Sequence, residues 1–232
     1  MRYIPDYTGR TAKKLLANFG ILLAVFIICL AVFLWLADMT FHTSDLQFDD
    51  KVFKAIHPYY NDGLTHFFQV ITWFGSQEFL LPAYLVLIII FLSVKKIRFY
   101  GWKIAIISIT GVSVMFGLKA LLERQRPLVP LISKAHGYSF PSGHSFSSFL
   151  FFGMIAYIVY KTVDNLFWRW TIILLLAALV LLIGYSRIYL KVHYATDVMA
   201  GFLLAAIWLM LAKWILIDRR RSLPPGNQTL IK

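Results

Sequence analysis

At 232 residues the chain is long enough for one domain with a sizeable core and short for two. Only 15% of it is charged and 59% is apolar, with a mean hydropathy of +0.71; a soluble domain averages roughly 25% charged residues. A water-soluble globule of this composition would expose large apolar patches, so an ordinary cytosolic protein, a disordered chain and a secreted disulfide scaffold are excluded. The single Cys29 sits in an apolar run and reads as a small hydrophobe. What remains is an all-α polytopic membrane protein.

The first predicted element is the uninterrupted apolar stretch 19–37, about the 20 residues that cross roughly 30 Å of hydrocarbon. It is too long for a signal-peptide core and lacks a small-residue cleavage site after it. Charge-free stretches at 79–94, 104–118, 135–160, 170–186 and 198–212 predict five further helices. Between the first two, residues 38–78 carry Asp45, Asp49, Asp50 and Asp62 against Lys51 and Lys54, as an external loop does. Phe53, Ile56, Phe67, Phe68 and Trp73 predict a short amphipathic helix there, lying on the membrane surface; His42, His57 and His66 fall in this loop or at the interface.

The net charge of +12 does not point to nucleic acid, because the cations sit in clusters between apolar stretches. Arg2, Arg10, Lys13 and Lys14 precede the first span, and Lys95, Lys96, Arg98 and Lys103 lie between the second and third. Lys161 and Arg169 flank a later gap; Lys213, Arg219, Arg220 and Arg221 follow the last span. Under the positive-inside rule these segments, both termini and the tail 213–232 are cytoplasmic. Residues 222–232 read as disordered, and 1–232 as one membrane-embedded domain.

Polar residues concentrate in the outward-facing segments, and a charge at membrane depth costs at least roughly 2.5–3.5 kcal/mol. Lys119 and Arg126 are seven apart, nearly two helical turns, so on a continuing helix both project from one face about 10 Å apart. Two cations so placed need an anion between them, either a ligand or Glu123 in a local ladder. Arg124 lies off that face and is expected to meet headgroups or water, and Pro127 ends or kinks the helix. In Pro141-Ser142-Gly143-His144, Ser142 can cap the fourth span. Gly143 lets a ligand approach first-turn N–H groups that favour an anion; the plainer reading is a capped helix with an interfacial histidine.

His193 and Asp197 are four apart and share a face if the sixth helix begins there. Asp197 then fixes the His193 tautomer and leaves Nε2 free to attack, or the two merely pair at the interface. Arg187, six residues before His193, can bend over the same site. All these elements map to one membrane face, which favours a phosphate pocket. Lys119, Arg126 and Arg187 would neutralise the oxygens while Ser142 and Gly143 donate to them; His193 would be the nucleophile and His144 the acid for the leaving oxygen.

In this order, Lys119-x6-Arg126-Pro127, Pro141-Ser142-Gly143-His144 and Ser186-Arg187-x5-His193-x3-Asp197 resemble the three signature motifs of the type 2 phosphatidic acid phosphatase superfamily. The motif region covers 119–197. The resemblance implies a phosphohistidine at His193 oriented by Asp197, leaving-group protonation by His144, and phosphate binding by Lys119, Arg126, Ser142, Gly143 and Arg187. It implies no cofactor and no metal, in keeping with the isolation of Glu123 and Asp197 in the sequence. His136 and Ser139 match no motif position.

Such an enzyme is expected in a bacterial inner membrane with its site outward, cleaving the monoester or pyrophosphate of a lipid. Phosphatidic acid, phosphatidylglycerophosphate, undecaprenyl pyrophosphate and a phosphorylated lipid A all fit, and the oligomeric state is left open. The alternative is a transporter, flippase or non-catalytic binder of lipid phosphates, which needs the cations but neither histidine.

Overall fold

The computed structural model describes residues 7–41, 47–95, 98–132 and 137–214. His42, His136, Arg2, Lys96, Arg219, Arg220, Arg221 and the predicted disordered tail lie outside them. Among the described residues eight α-helices follow one another: α1 (Tyr7–Phe41), α2 (Gln47–Ile56), α3 (Asp62–Trp73), α4 (Gln77–Ser93), α5 (Arg98–Leu122), α6 (Gly143–Thr162), α7 (Leu166–Tyr189) and α8 (Ala195–Ala212), with a 3-10 turn at His57–Tyr59. No strand occurs among the described residues. Among the described residues six stretches are long and apolar enough to cross a membrane: Phe19–Phe41, Asp62–Ser93, Arg98–Leu122, Gly143–Thr162, Leu166–Tyr189 and Ala195–Ala212. The expected all-α bundle of six spans is therefore observed.

Local chemistry sets the helix starts. Asn61, Ser76, Ser142 and Asn165 each cap a helix by accepting a backbone N–H three residues on, from Leu64, Phe79, Ser145 and Trp168. Two helices end instead on a non-glycine residue in the left-handed region, α5 at Glu123 (φ 47°) and α7 just before Lys191 (φ 54°). That conformation costs on the order of 1 kcal/mol and turns the chain sharply out of the helix. At both places the turn delivers a motif residue, Arg126 after the first and His193 after the second.

α8 is the central helix, packed against α1, α5, α6 and α7, whereas α4 pairs with α5 at the periphery. Small residues allow this. A Cβ on Gly201 of α8 would stand 2.7 Å from the Ser142 carbonyl oxygen and 3.0 Å from the Ser145 Cβ. Glycine there brings α8 against the start of α6, where larger residues would hold the helices apart. Phe146, Leu150, Ile183 and Ala200 fill the core between them without exposure, while Ile21, Leu85, Leu174 and Leu181 form part of the lipid-facing surface.

Two expectations are corrected. The fourth span begins at Gly143 rather than at 135, because residues 137–142 form an irregular loop that ends in the Ser142 cap. The segment after α1 holds two helices and a 3-10 turn instead of one surface helix. α3 packs on α7, burying Phe68 against Tyr185 and Tyr189, while Phe67 and Trp73 stay exposed. α2 turns Phe53 onto Tyr194. Phe53 and Phe68 thus pack on protein at one end of the bundle, and that end carries the site.

Candidate active site

The ends of α5 and α7 and the starts of α6 and α8 meet at this end. His193, in the link between α7 and α8, is 1% exposed. Arg126 NH1 stands 3.1 Å from its Nε2. A guanidinium can only donate, so Nε2 is the accepting nitrogen and the ring proton lies on Nδ1. On the other side Nδ1 is 3.2 Å from the Ser139 Oγ, which itself donates to Asp197 Oδ2. The direct His193 Nδ1 to Asp197 Oδ2 separation is 3.4 Å. Ser139 therefore bridges the pair, and Asp197 sets the histidine tautomer through it.

Asp197 is the third residue of α8, and its Oδ2 also accepts the Tyr194 N–H at 2.9 Å. One carboxylate thus starts the helix and orients the histidine before it. Burial drives the His193 pKa well below the usual 6.5, and the charges of Arg126, Arg187 and Lys119 push the same way. The imidazole is held neutral, the form with a lone pair on Nε2.

The cations surround this nitrogen. Arg126 Nε donates to the Gly137 carbonyl and NH1 to the Val192 carbonyl, both at 2.8 Å. Lys119 Nζ donates to the Tyr138 carbonyl at 2.7 Å and to the Ser139 carbonyl at 3.3 Å. Arg187 NH1 donates to Thr72 Oγ1 at 2.7 Å, while its buried Nε has no hydrogen-bond partner among the described residues. Lys119, Arg126, Arg187, His193, Gly143 and His144 all line one cavity of about 910 Å³. Its walls continue between α4 and α5 as Leu81, Leu85, Ile88, Ile109, Val112 and Phe116. A polar, cationic head and an apolar trough form one continuous space.

Ser142 is placed differently from its motif neighbours. Its Oγ is fully buried and accepts from Ser145 N and Ser145 Oγ, so it aims the start of α6 at the cavity that Gly143 lines. The helix-face argument for Lys119 and Arg126 does not hold, because α5 stops at Leu122 and Arg126 arrives from the irregular segment after the Glu123 turn. Glu123 accepts from the Tyr138 hydroxyl at 2.9 Å. Arg124, expected at headgroups or water, is turned inward by the same backbone change. It forms ion pairs with Asp49 at 2.9 Å and with Asp197, its side chain 9% exposed.

Ser139 and Arg124 were not legible as site residues, since neither stands at a position whose spacing implies a role. Asp49 looked like one of several loop acids, yet it is 1% exposed. Among the described residues, no group of three or more His, Cys, Asp or Glu side chains could hold a metal ion.

A membrane-spanning helical bundle with a neutral buried histidine facing clustered cations defines an integral membrane protein built to handle a phosphate group. Residues 83–221 match the PAP2 superfamily, and the chain belongs to that superfamily. Phosphatidylglycerophosphatase B of Bacillus subtilis (strain 168) is 30% identical over 195 residues, covering 80% of this chain and 92% of the relative. The crystal structure of the first transmembrane PAP2 type phosphatidylglycerolphosphate phosphatase from Bacillus subtilis superposes with a TM-score of 0.76 at 26% identity, over 87% of this chain and 98% of that one. The crystal structure of Aquifex aeolicus LpxE gives 0.53 at 26% identity, over 70% and 92%.

Proposed function

We propose that the protein is a lipid phosphatase that works through a phosphohistidine. The observation that carries this is the shared cavity: the histidine and the cations open onto the same space as an apolar trough between α4 and α5. A phosphate that draws Arg126, Lys119 and the Arg187 Nε to its oxygens frees the Nε2 lone pair of His193. That nitrogen attacks phosphorus, the phosphorus–oxygen bond to the lipid breaks, and His144 gives its proton to the leaving oxygen. Water, deprotonated by His144, then cleaves the phosphohistidine and releases inorganic phosphate. Gly143 contributes backbone donors, Ser142 aims them, and clustered charge at a dry site stabilises the reaction. Residues of this chain supply each of these groups, so the reaction is metal-independent.

The site end lies away from Lys95, Arg98, Lys161, Arg169 and Lys213, which gather at the opposite ends of the spans. Under the positive-inside rule this distribution supports our reading that the reaction occurs on the extracytoplasmic side, in a bacterial inner membrane.

The test is phosphate release by detergent-purified protein, in EDTA, from phosphatidylglycerophosphate, phosphatidic acid, undecaprenyl pyrophosphate and lipid A. Turnover of at least one lipid is expected, with phosphatidylglycerophosphate, the lipid in the Bacillus relative's name, the first to try. Folded protein inert on all four would leave the binder or transporter reading in its place.

The depressed His193 pKa has a signed consequence. A histidine whose folded pKa is lowered stays neutral, and so nucleophilic, as the pH falls through the ordinary value of 6.5. After correction for the substrate's own second ionisation near about 6, kcat/KM should hold across that range. A loss of rate centred on 6.5 would contradict the environment described for His193.

A further inference from the structure

Asp49 belongs to α2, in the segment that links the first two spans, yet it is among the most deeply buried side chains. A carboxylate so placed is costly unless its oxygens are bonded. Here Oδ1 accepts the Thr196 N–H at 3.0 Å, and Oδ2 accepts the Thr196 hydroxyl at 2.8 Å and Arg124 NH2 at 2.9 Å. The other arm of the Arg124 fork, NH1, donates to Thr196 Oγ1 at 2.8 Å and to Asp197 Oδ1. Its guanidinium carbon lies 4.1 Å from the centre of the Tyr194 ring. One arginine therefore joins two carboxylates, one on α2 and the other the partner of His193.

We propose that Asp49 and Arg124 are positioning residues, whose ion pair holds the Asp197 carboxylate in the orientation from which it fixes His193. Asp197 Oδ2 is committed to Ser139 and the Tyr194 N–H, so Oδ1 is the oxygen by which the group is gripped from behind. A carboxylate held at both oxygens cannot rotate, and Asp49 keeps the second arm of the arginine fork from swinging away. α2 thereby belongs to the scaffold of the site, although it lies some 140 residues upstream of it in sequence. The inference rests on the phosphatase reading given above.

The charges around His193 make the test directional. It faces Lys119 from α5, Arg126 from the segment after α5, Ser139 from the loop before α6, His144 from α6, Arg187 from α7 and Asp197 from α8. Arg124 and Asp49 stand behind Asp197. Asp49→Asn deletes a negative charge and disfavours the imidazolium, so the acid limb of kcat/KM moves to lower pH. Arg124→Gln deletes a positive charge, and the limb moves to higher pH. Both should lower kcat by roughly 10- to 100-fold, as a small misalignment does, with KM little changed. Asp50→Asn, on the exposed side of α2, should change none of these.

The experiment is a set of pH–rate profiles on detergent-purified variants, scaled to the folded fraction by size exclusion, with a lipid that the wild type turns over. Opposite shifts of the acid limb together with reduced kcat support the proposal. Wild-type kcat in folded Asp49→Asn, or shifts of the same sign in both variants, overturns it. So does failure of Asp49→Asn to yield folded protein, which would make the pair a holder of the fold. A wild type without turnover removes the phosphatase reading itself, and is told apart from these outcomes by having no profile at all.

Discussion

His193→Ala should lower phosphate release by at least about 10³-fold, on the scale seen when a catalytic nucleophile is removed. The residual activity should be the same for every lipid turned over, because binding of the apolar chain is untouched. Two features make the protein tolerant of the change. Arg126 keeps its bonds to the Gly137 and Val192 carbonyls, and Asp197 keeps those to Tyr194, Ser139 and Arg124. The variant should therefore purify as the wild type does and still bind orthovanadate, though weakly because vanadium loses its histidine ligand. Steady-state release of phosphate and vanadate titration by calorimetry check the two halves. Ordinary turnover in the variant would remove His193 from the role of nucleophile and leave His144 to be tested next.

Arg126→Gln should be the next most damaging change, lowering kcat by roughly 10²- to 10³-fold, as loss of a donor to developing charge does. Its effect has two sources. The guanidinium supplies positive charge beside Nε2, and it ties the loop carbonyl of Gly137 to the Val192 carbonyl next to His193. Glutamine can replace one of those bonds and none of the charge. Lysine restores the charge but not the planar fork, so Arg126→Lys should recover only part of the rate. KM should rise as well as kcat fall, which separates this residue from a pure positioning group. A variant with normal kcat and KM would mean that Lys119 and Arg187 are sufficient to bind the phosphate.

Most of the bundle could be read from the chain because lipid makes a blunt demand: about 20 apolar residues per crossing. The motif residues could be read because their spacing places them at helix ends on a common side. What failed was the assumption that a helix continues. On a continuing helix Lys119 and Arg126 share a face, and Arg124 points away from it. The left-handed Glu123 ends α5 four residues after Lys119 and reverses that geometry. Nothing in Leu-Leu-Glu-Arg-Gln-Arg announces that turn, since glutamate is an ordinary helix former.

Asp49 and Ser139 were illegible for another reason. Their importance comes from partners 147 and 58 residues away, and one sequence holds no record of such contacts. The histidine pair, by contrast, announces itself, because His193 and Asp197 lie within one helical turn in sequence and the helix start at Ala195 keeps them close.

The trough between α4 and α5 changes what kind of reaction this is. Leu81, Leu85 and Ile109 line it and are each more than half exposed on the bundle's outer surface, so the trough opens sideways into lipid. Lifting a single acyl chain into water costs roughly 0.8 kcal/mol per methylene, on the order of 11 kcal/mol for a chain of about 14. A lipid that slides in sideways keeps its chain in an oily environment and brings only its phosphate to the histidine. The encounter is then a two-dimensional search within one leaflet, and its frequency follows the lipid's density in the plane of the membrane rather than its amount per volume of cell.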